Sequence, residues 1–182
     1  MHARKDIIIA GILLAALGAV ALWVPSRQET KTTTMTIASP SFKNGGTIPV
    51  KFTCDGSGTS PELRIEGVPA DAKSLALILH DPDAPVAGGF THWIVWNISP
   101  TTTAFAANGV PPGSVEGRND AGRAGYVSPC PPSGTHRYVF ELYALSAPLE
   151  LSGRPTAEQA RRAMAGRVIG KATLTGTYRR AG

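Results

Sequence analysis

The chain holds only two cysteines, Cys54 and Cys130, among 182 residues. Two are too few for a disulfide-scaffolded mini-protein or a four-cysteine zinc site. No Gly-X-Y period is present, which excludes collagen, and no internal repeat is visible. No basic run is interleaved with aromatics. Lys and Arg are scattered, the densest clusters being Arg161-Arg162 and Arg179-Arg180, so the net charge of +5 does not point to nucleic acid. There is no Gly-x-Ser-x-Gly elbow and no His-Glu-x-x-His pair, so neither a serine hydrolase nor a zinc hydrolase is compelled. Glycine and proline, by contrast, are plentiful: 20 and 15 residues, or 35 of 182. That is about 19% against a usual ~12% and points to many turns, hence to β structure and loops. The hydrophobic content of 42% with 17% charged residues is that of a globular chain, and the length suits one domain of ordinary size.

The N-terminus reads as an address. His2, Arg4 and Lys5 precede an uncharged apolar run from Ile7 to Val24. As a helix this run would be ~27 Å long, barely the depth of a ~30 Å hydrocarbon core. Two readings stand side by side. One is a secretory signal cut after Ala21, in the small-residue triplet Ala19-Val20-Ala21. The other is an uncleaved anchor through residues 7–24, with Trp23 at the interface and Arg4 and Lys5 held inside. Either places the rest of the chain outside the cytoplasm, in the periplasm, secreted, or tethered to the inner (plasma) membrane. The expected organisation is 1–25 signal or anchor, 26–34 linker and 35–182 a single domain.

Within that domain the pattern is strand-like. Leu75–Leu79 is an apolar run of buried-strand length. Trp93–Ile98, Tyr138–Leu145 and Ile169–Tyr178 are rich in β-branched and aromatic residues or in Thr and Gly. One helix is signalled over Ala157–Ala165, with Thr156 and Gln159 fitting a capping box. Strands without regularly alternating helices predict a mainly β fold: an antiparallel β-sandwich with one or two peripheral helices, preceded by the N-terminal apolar helix.

Two polar constellations interrupt this apolar background. Asp81-Pro-Asp83-Ala-Pro85 ends the first apolar strand and is followed by Thr91-His92-Trp93. Further on, Gly125-Tyr126-Val-Ser128-Pro-Cys130-Pro-Pro132-Ser-Gly-Thr-His136-Arg-Tyr138 leads into the third strand. In an extended chain i and i+2 share a face, so His136 and Tyr138 project together and Arg137 projects to the other side. Two Asp, two His and a Tyr suit an anion pocket. Histidines and the hydroxyl donate to phosphate oxygens, and the carboxylates orient the histidines and favour their charged form, which makes affinity depend on pH. A metal site from His92, His136 and a carboxylate is a weaker reading, because no close ligand spacing exists. A phosphate-ester or metal-dependent hydrolase, with Tyr138 and the histidines as acid and base, lacks an evident nucleophile.

These two segments resemble the phosphatidylethanolamine-binding protein family, and more closely its bacterial Raf-kinase-inhibitor-like branch. Phe52–Gly56, Ser60–Leu63, Val68-Pro69, Asn119-Asp120, Phe140–Leu145 and Gly176–Tyr178 are similar to it as well, so the resemblance runs from about Met35 to Arg180. It implies a β-sandwich with flanking helices and a small pocket for phosphate-type groups, including phospholipid head groups. The implied ligand-binding residues are Asp81, Asp83, His92, Pro132, His136 and Tyr138, with Ser128 and Cys130 on the rim and Trp93 and Tyr126 as wall or core. Arg137 is read as structural, paired with an acid. Ser128 stands where the family commonly has glycine, which makes the loop less secure as a donor. A tryptophan commonly found near position 65 is replaced by Ile65. Cys54 and Cys130 both fall in matched segments. An oxidising compartment allows them to pair, whereas similar sequences without an export signal carry them as thiols. The expected function is non-enzymatic binding of a phosphate-bearing small molecule or lipid head group in the cell envelope, with no cofactor, no metal and no nucleic acid. The alternative is an inhibitor or regulator of a protein partner of protease or kinase type, which rests on the resemblance alone.

Overall fold

The computed structural model describes residues 34–180. The signal or anchor expected over residues 1–25 and most of the expected linker lie outside the described residues. In chain order the elements are β1 (Thr36–Ala38), a 3-10 turn (Val50–Phe52), β2 (Leu63–Glu66), β3 (Ser74–Asp81), β4 (Phe90–Ile98), β5 (Ala104–Phe105), β6 (Val115–Glu116), β7 (His136–Leu145), α1 (Ala157–Met164) and β8 (Val168–Tyr178). All strand pairings within the sheets are antiparallel. A three-stranded sheet has the order β1-β2-β5, and a five-stranded sheet the order β6-β4-β3-β7-β8.

The large sheet is buried on both faces, which explains why its central strands read as unbroken apolar runs rather than alternating ones. Leu75, Leu77 and Leu79 of β3, with Tyr138, Phe140 and Leu142 of β7, pack against Ile37, Leu63, Ile65 and Phe105 of the small sheet. Ala76 and Ile78 point the other way, with Ile94, Trp96, Tyr143 and Leu145, onto Ala157, Ala160 and Met164 of α1. The result is small sheet, large sheet and helix in three layers. The helix starts where the sequence signals it. Thr156 accepts from the Gln159 N–H and the Gln159 side chain accepts from the Thr156 N–H, closing the capping box.

The β3–β4 pairing is irregular at both ends. Leu75 pairs with Ile98 and Leu77 with Val95, so β4 carries an extra residue there. Asn97 sits in it at φ 54°, and its side chain both donates to and accepts from the Leu149 backbone. This bulge returns Ile98 to the inter-sheet core. The second bulge lies at the other end. Leu79 pairs with Trp93 and His80 with Thr91, which leaves His92 without a partner on β3.

Candidate functional site

The polar residues gather at the end of the large sheet where β3 leaves and β7 enters. Asp81 is the last residue of β3 and is buried. The chain turns directly after it, and Asp81 Oδ1 accepts the N–H of Asp83 at 2.9 Å, an Asx turn stiffened by Pro82. Its other oxygen, Oδ2, lies 2.8 Å from His136 Nδ1. A carboxylate only accepts, so Nδ1 carries the proton and Nε2 is the free atom of this ring.

His92 is held differently. The Val127 N–H donates to the His92 carbonyl at 2.9 Å, and His92 Nδ1 lies 2.8 Å from the Val127 carbonyl. A carbonyl also only accepts, so the proton again sits on Nδ1. Strict alternation would send His92 to the face opposite Trp93. The bulge turns it to the inter-sheet side, edge-on to the Tyr138 ring at 5.2 Å, with Phe90 behind it at 4.8 Å. Burial pushes the His92 pKa down, against the opposing pull of the Val127 carbonyl and of Asp81.

Tyr138 is closed to solvent over its residue surface, and its hydroxyl has no hydrogen-bond partner. It is the one such buried side-chain atom among the described residues. Burial, reinforced by the Asp81 charge, pushes its pKa well up, so it remains a protonated donor. An unpaired buried hydroxyl costs roughly 1–3 kcal/mol, which a ligand oxygen would recover.

These groups open on a cavity of about 210 Å³. Asp81, His92, His136 and Tyr138 supply its polar wall. Ala84, Pro85, Val86 and Phe90 form one apolar side, and Val127, Ser128, Cys130, Pro131 and Pro132 the other. Of the residues expected to bind ligand, the structure brings together Asp81, His92, Pro132, His136 and Tyr138, with Ser128 and Cys130 at the rim.

Asp83 is the exception and corrects the sequence reading. It does not line the cavity. Its carboxylate accepts from the Arg137 backbone N–H at 2.8 Å and from both Nε and Nη2 of the guanidinium at 2.9 and 2.7 Å. Arg137 holds the Asp83 carboxyl down at about 2. The physical reason is the turn: past Asp81 the chain is no longer extended, so i and i+2 do not share a face. Asp83 meets the outward side of β7, where alternation puts Arg137.

Cys54 and Cys130 form a disulfide with Cα atoms 5.3 Å apart, beside a backbone bond from Cys54 N–H to the Pro129 carbonyl. The bridge ties the cavity's proline-rich wall to the chain just after the 3-10 turn. Ser128 Oγ packs beside Gly58, where a Cβ would still sit at an ordinary contact distance of 3.4 Å. Trp93 and Tyr126 are core, as expected. Trp93 Nε1 donates to Glu116 at 2.7 Å and the Tyr126 hydroxyl to the Phe52 carbonyl at 2.8 Å.

Sequence reasoning missed Val127, whose backbone clamps His92 through both its N–H and its carbonyl. Its side chain is ordinary, and only its place inside the Gly125–Tyr138 segment marks it. Phe90 and Val86 were missed too, although Ala84 and Pro85 stand within the Asp81–Pro85 motif. Among the described residues no three His, Cys, Asp or Glu converge in a metal-binding group.

A family model described as phosphatidylethanolamine-binding protein matches residues 38–179. A UPF0098 protein of Methanothermobacter thermautotrophicus is 48% identical over 151 residues, covering 80% of this chain and 99% of its own. The crystal structure of a phosphatidylethanolamine-binding protein homolog from Chlamydia trachomatis superposes with a TM-score of 0.78 at 42% identity, over 82% of this chain and 99% of that one. Escherichia coli YbcL, described as a member of the mammalian family, superposes at 0.76 with 31% identity, over 81% and 99%.

Proposed function

This chain belongs to the phosphatidylethanolamine-binding protein family, and we propose that it is a non-enzymatic binding protein for a phosphate-bearing small molecule or lipid head group, working in the cell envelope. The observation that carries the reading is the Tyr138 hydroxyl, buried without a partner in a cavity whose other polar groups include the free Nε2 edges of two histidines. A phosphate group can meet all three: its oxygens accept from the Tyr138 hydroxyl and from any Nε2 that carries a proton, and a phosphate O–H can donate to an Nε2 that does not. The apolar sides of the cavity exclude water and so strengthen each of those contacts. Binding without turnover is favoured by the lining. Cys130 is in a disulfide, and Ser128 makes no hydrogen bond to either histidine. The basic flank and apolar run at the N-terminus support export, and the disulfide is of the kind that persists in an oxidising compartment.

Titration calorimetry with inorganic phosphate and phosphoethanolamine tests this. Saturable binding, weakened at least tenfold in the His92→Ala/His136→Ala double variant, is the expected result. Equal affinity in that variant would sink the assignment of the cavity.

A further inference from the structure

A second cavity, of about 290 Å³, opens on the inter-sheet side of β4 and β6 and shares no residue with the first. Register puts Glu116 there. Glu116 pairs with Val95, which faces the inter-sheet core, and Trp93 lies two residues from Val95 on the same face. Glu116 Oε1 accepts the Trp93 indole N–H at 2.7 Å. Oε2 has no partner among the described residues, and it is not sealed from solvent. Tyr126 packs edge to face on Trp93 at 5.7 Å and walls the cavity beside it. Asn108 closes the opposite side. Its φ is 59°, which Asn tolerates better than most residues, and its N–H donates to both the carbonyl and Oγ of buried Ser60, at 3.1 Å each.

Glu116 stands apart from the other acids in its charge balance. Among the described residues, the acids at least partly withdrawn from solvent are Glu62, Asp81, Asp83, Glu116 and Glu141. Glu62 is paired with Arg64, Asp81 with His136, Asp83 with Arg137, and Glu141 with both Arg161 and Lys171. Glu116 alone has no basic group of the described residues within salt-bridge distance, and no Lys, Arg or His lines its cavity. The indole bond does not account for the charge, because a neutral glutamine carbonyl accepts from an N–H as well. A sheltered charge without a partner is costly, and a cation entering the cavity would offset that cost.

We propose that this cavity is a binding site for a primary ammonium on a short alkyl stem, with an ammonium N–H donated to Glu116 Oε2 and the stem against Tyr126, Trp93 and Val110. Three features select this class. The volume is near the ~300 Å³ lower end of small-ligand sites, so the ligand is small. Aromatic walls attract a cation more than a neutral or anionic group. With Oε1 engaged by Trp93, one carboxylate oxygen is free. An ammonium is a point charge and needs one oxygen, whereas the guanidinium fork is matched to two. The proposal does not rest on the anion cavity, and either site can exist without the other.

Butylammonium, butylguanidinium and butanol make the test, each titrated at constant ionic strength into the 15N-labelled full-length protein. The Trp93 indole N–H reports the site in a nitrogen–proton correlation spectrum, because it touches Glu116 directly. Butylammonium is expected to move that signal saturably, and to bind roughly tenfold tighter than butanol and several-fold tighter than butylguanidinium. Glu116→Gln keeps an acceptor for the indole and removes only the charge, so it should unfold at the same temperature as the wild type within a few degrees. Its affinity for butylammonium should fall roughly tenfold. No saturable shift with butylammonium would overturn the proposal. So would equal binding of butanol, or an affinity that survives Glu116→Gln. Equal binding of butylguanidinium would overturn the assignment of the ligand as an ammonium. None of these outcomes bears on phosphate binding in the other cavity, which the histidine double variant tests separately.

Discussion

Asp81 Oδ2 and His136 Nδ1 meet at 2.8 Å across 55 residues of sequence, with both side chains nearly closed to solvent. The same carboxylate caps the turn through the Asp83 N–H. Asp81→Ala leaves both donors unsatisfied and is expected to cost about 2 kcal/mol, by the usual penalty for buried unpaired groups. Asp81→Asn keeps one acceptor oxygen and should lose less than half of that. Urea denaturation at pH 7 measures both, and equal losses would contradict the double role. Phosphate affinity in Asp81→Ala should fall at least tenfold, because nothing then orients His136.

Asp83 and Arg137 set a pH dependence apart from the cavity. The Asp83 carboxyl is held at about 2 in the fold, below the ~4 of an unfolded chain. A carboxyl depressed in the folded state contributes stability that is complete above the unfolded value and is lost as pH falls through the folded one. The window is therefore about pH 4 down to 2. Arg137→Gln should lose less stability than the wild type on acidification across that window, as followed by far-ultraviolet circular dichroism in urea at each pH. Its phosphate affinity at pH 7 should stay within threefold, and so should that of Asp83→Asn. A tenfold loss in Asp83→Asn would return this residue to the binding set.

The Cys54–Cys130 bridge closes a loop of 76 residues. In the chain-entropy account a loop of that size is worth about 4 kcal/mol. Reduction, or Cys54→Ser with Cys130→Ser, should lower the unfolding free energy by roughly that amount and weaken phosphate binding, since Cys130 and its proline neighbours form a cavity wall. Alkylation under denaturing conditions followed by mass spectrometry should add two labels only after reduction. Labels on the unreduced protein would show that the bridge is not formed.

Gly176 stands opposite Tyr138 in the β7–β8 ladder and leaves no room for a methyl group. A Cβ there would lie 2.4 Å from Ile48 Cγ1 and 3.0 Å from Phe42. Gly176→Ala should cost roughly 1–3 kcal/mol as an overpacked core does. Adding Ile48→Ala should relieve part of the clash, so the double variant should lose less than the sum of the two single ones. Simple additivity in thermal unfolding would argue against the contact.

Much of the fold was readable one segment at a time. Leu75–Leu79 and Tyr138–Leu145 announce buried strands by composition, and Thr156 with Gln159 announces the helix start, because these signals depend on neighbours within a few residues. The short strands β5 and β6, two residues each, carry no such signal. They exist because β2 and β4 offer them open edges. The candidate site was readable as a set of residue types, and His136, Tyr138 and Arg137 were placed on their correct sides by alternation alone.

Other features were decided only when distant segments met. His92 reaches the cavity because β4 holds one residue more than β3 at that point, and a bulge is a property of two paired strands, not of either sequence. Asp83 left the expected site because Arg137, 54 residues away, offered it a bidentate partner on the outer face. Cys54 and Cys130 became neighbours through the same closure. The sequence by itself determined which residues carry the chemistry, through local periodicity and turn composition. The tertiary structure decided which way each one points and what satisfies it, because hydrogen-bond partners here lie tens of residues apart and only register brings them within 3 Å.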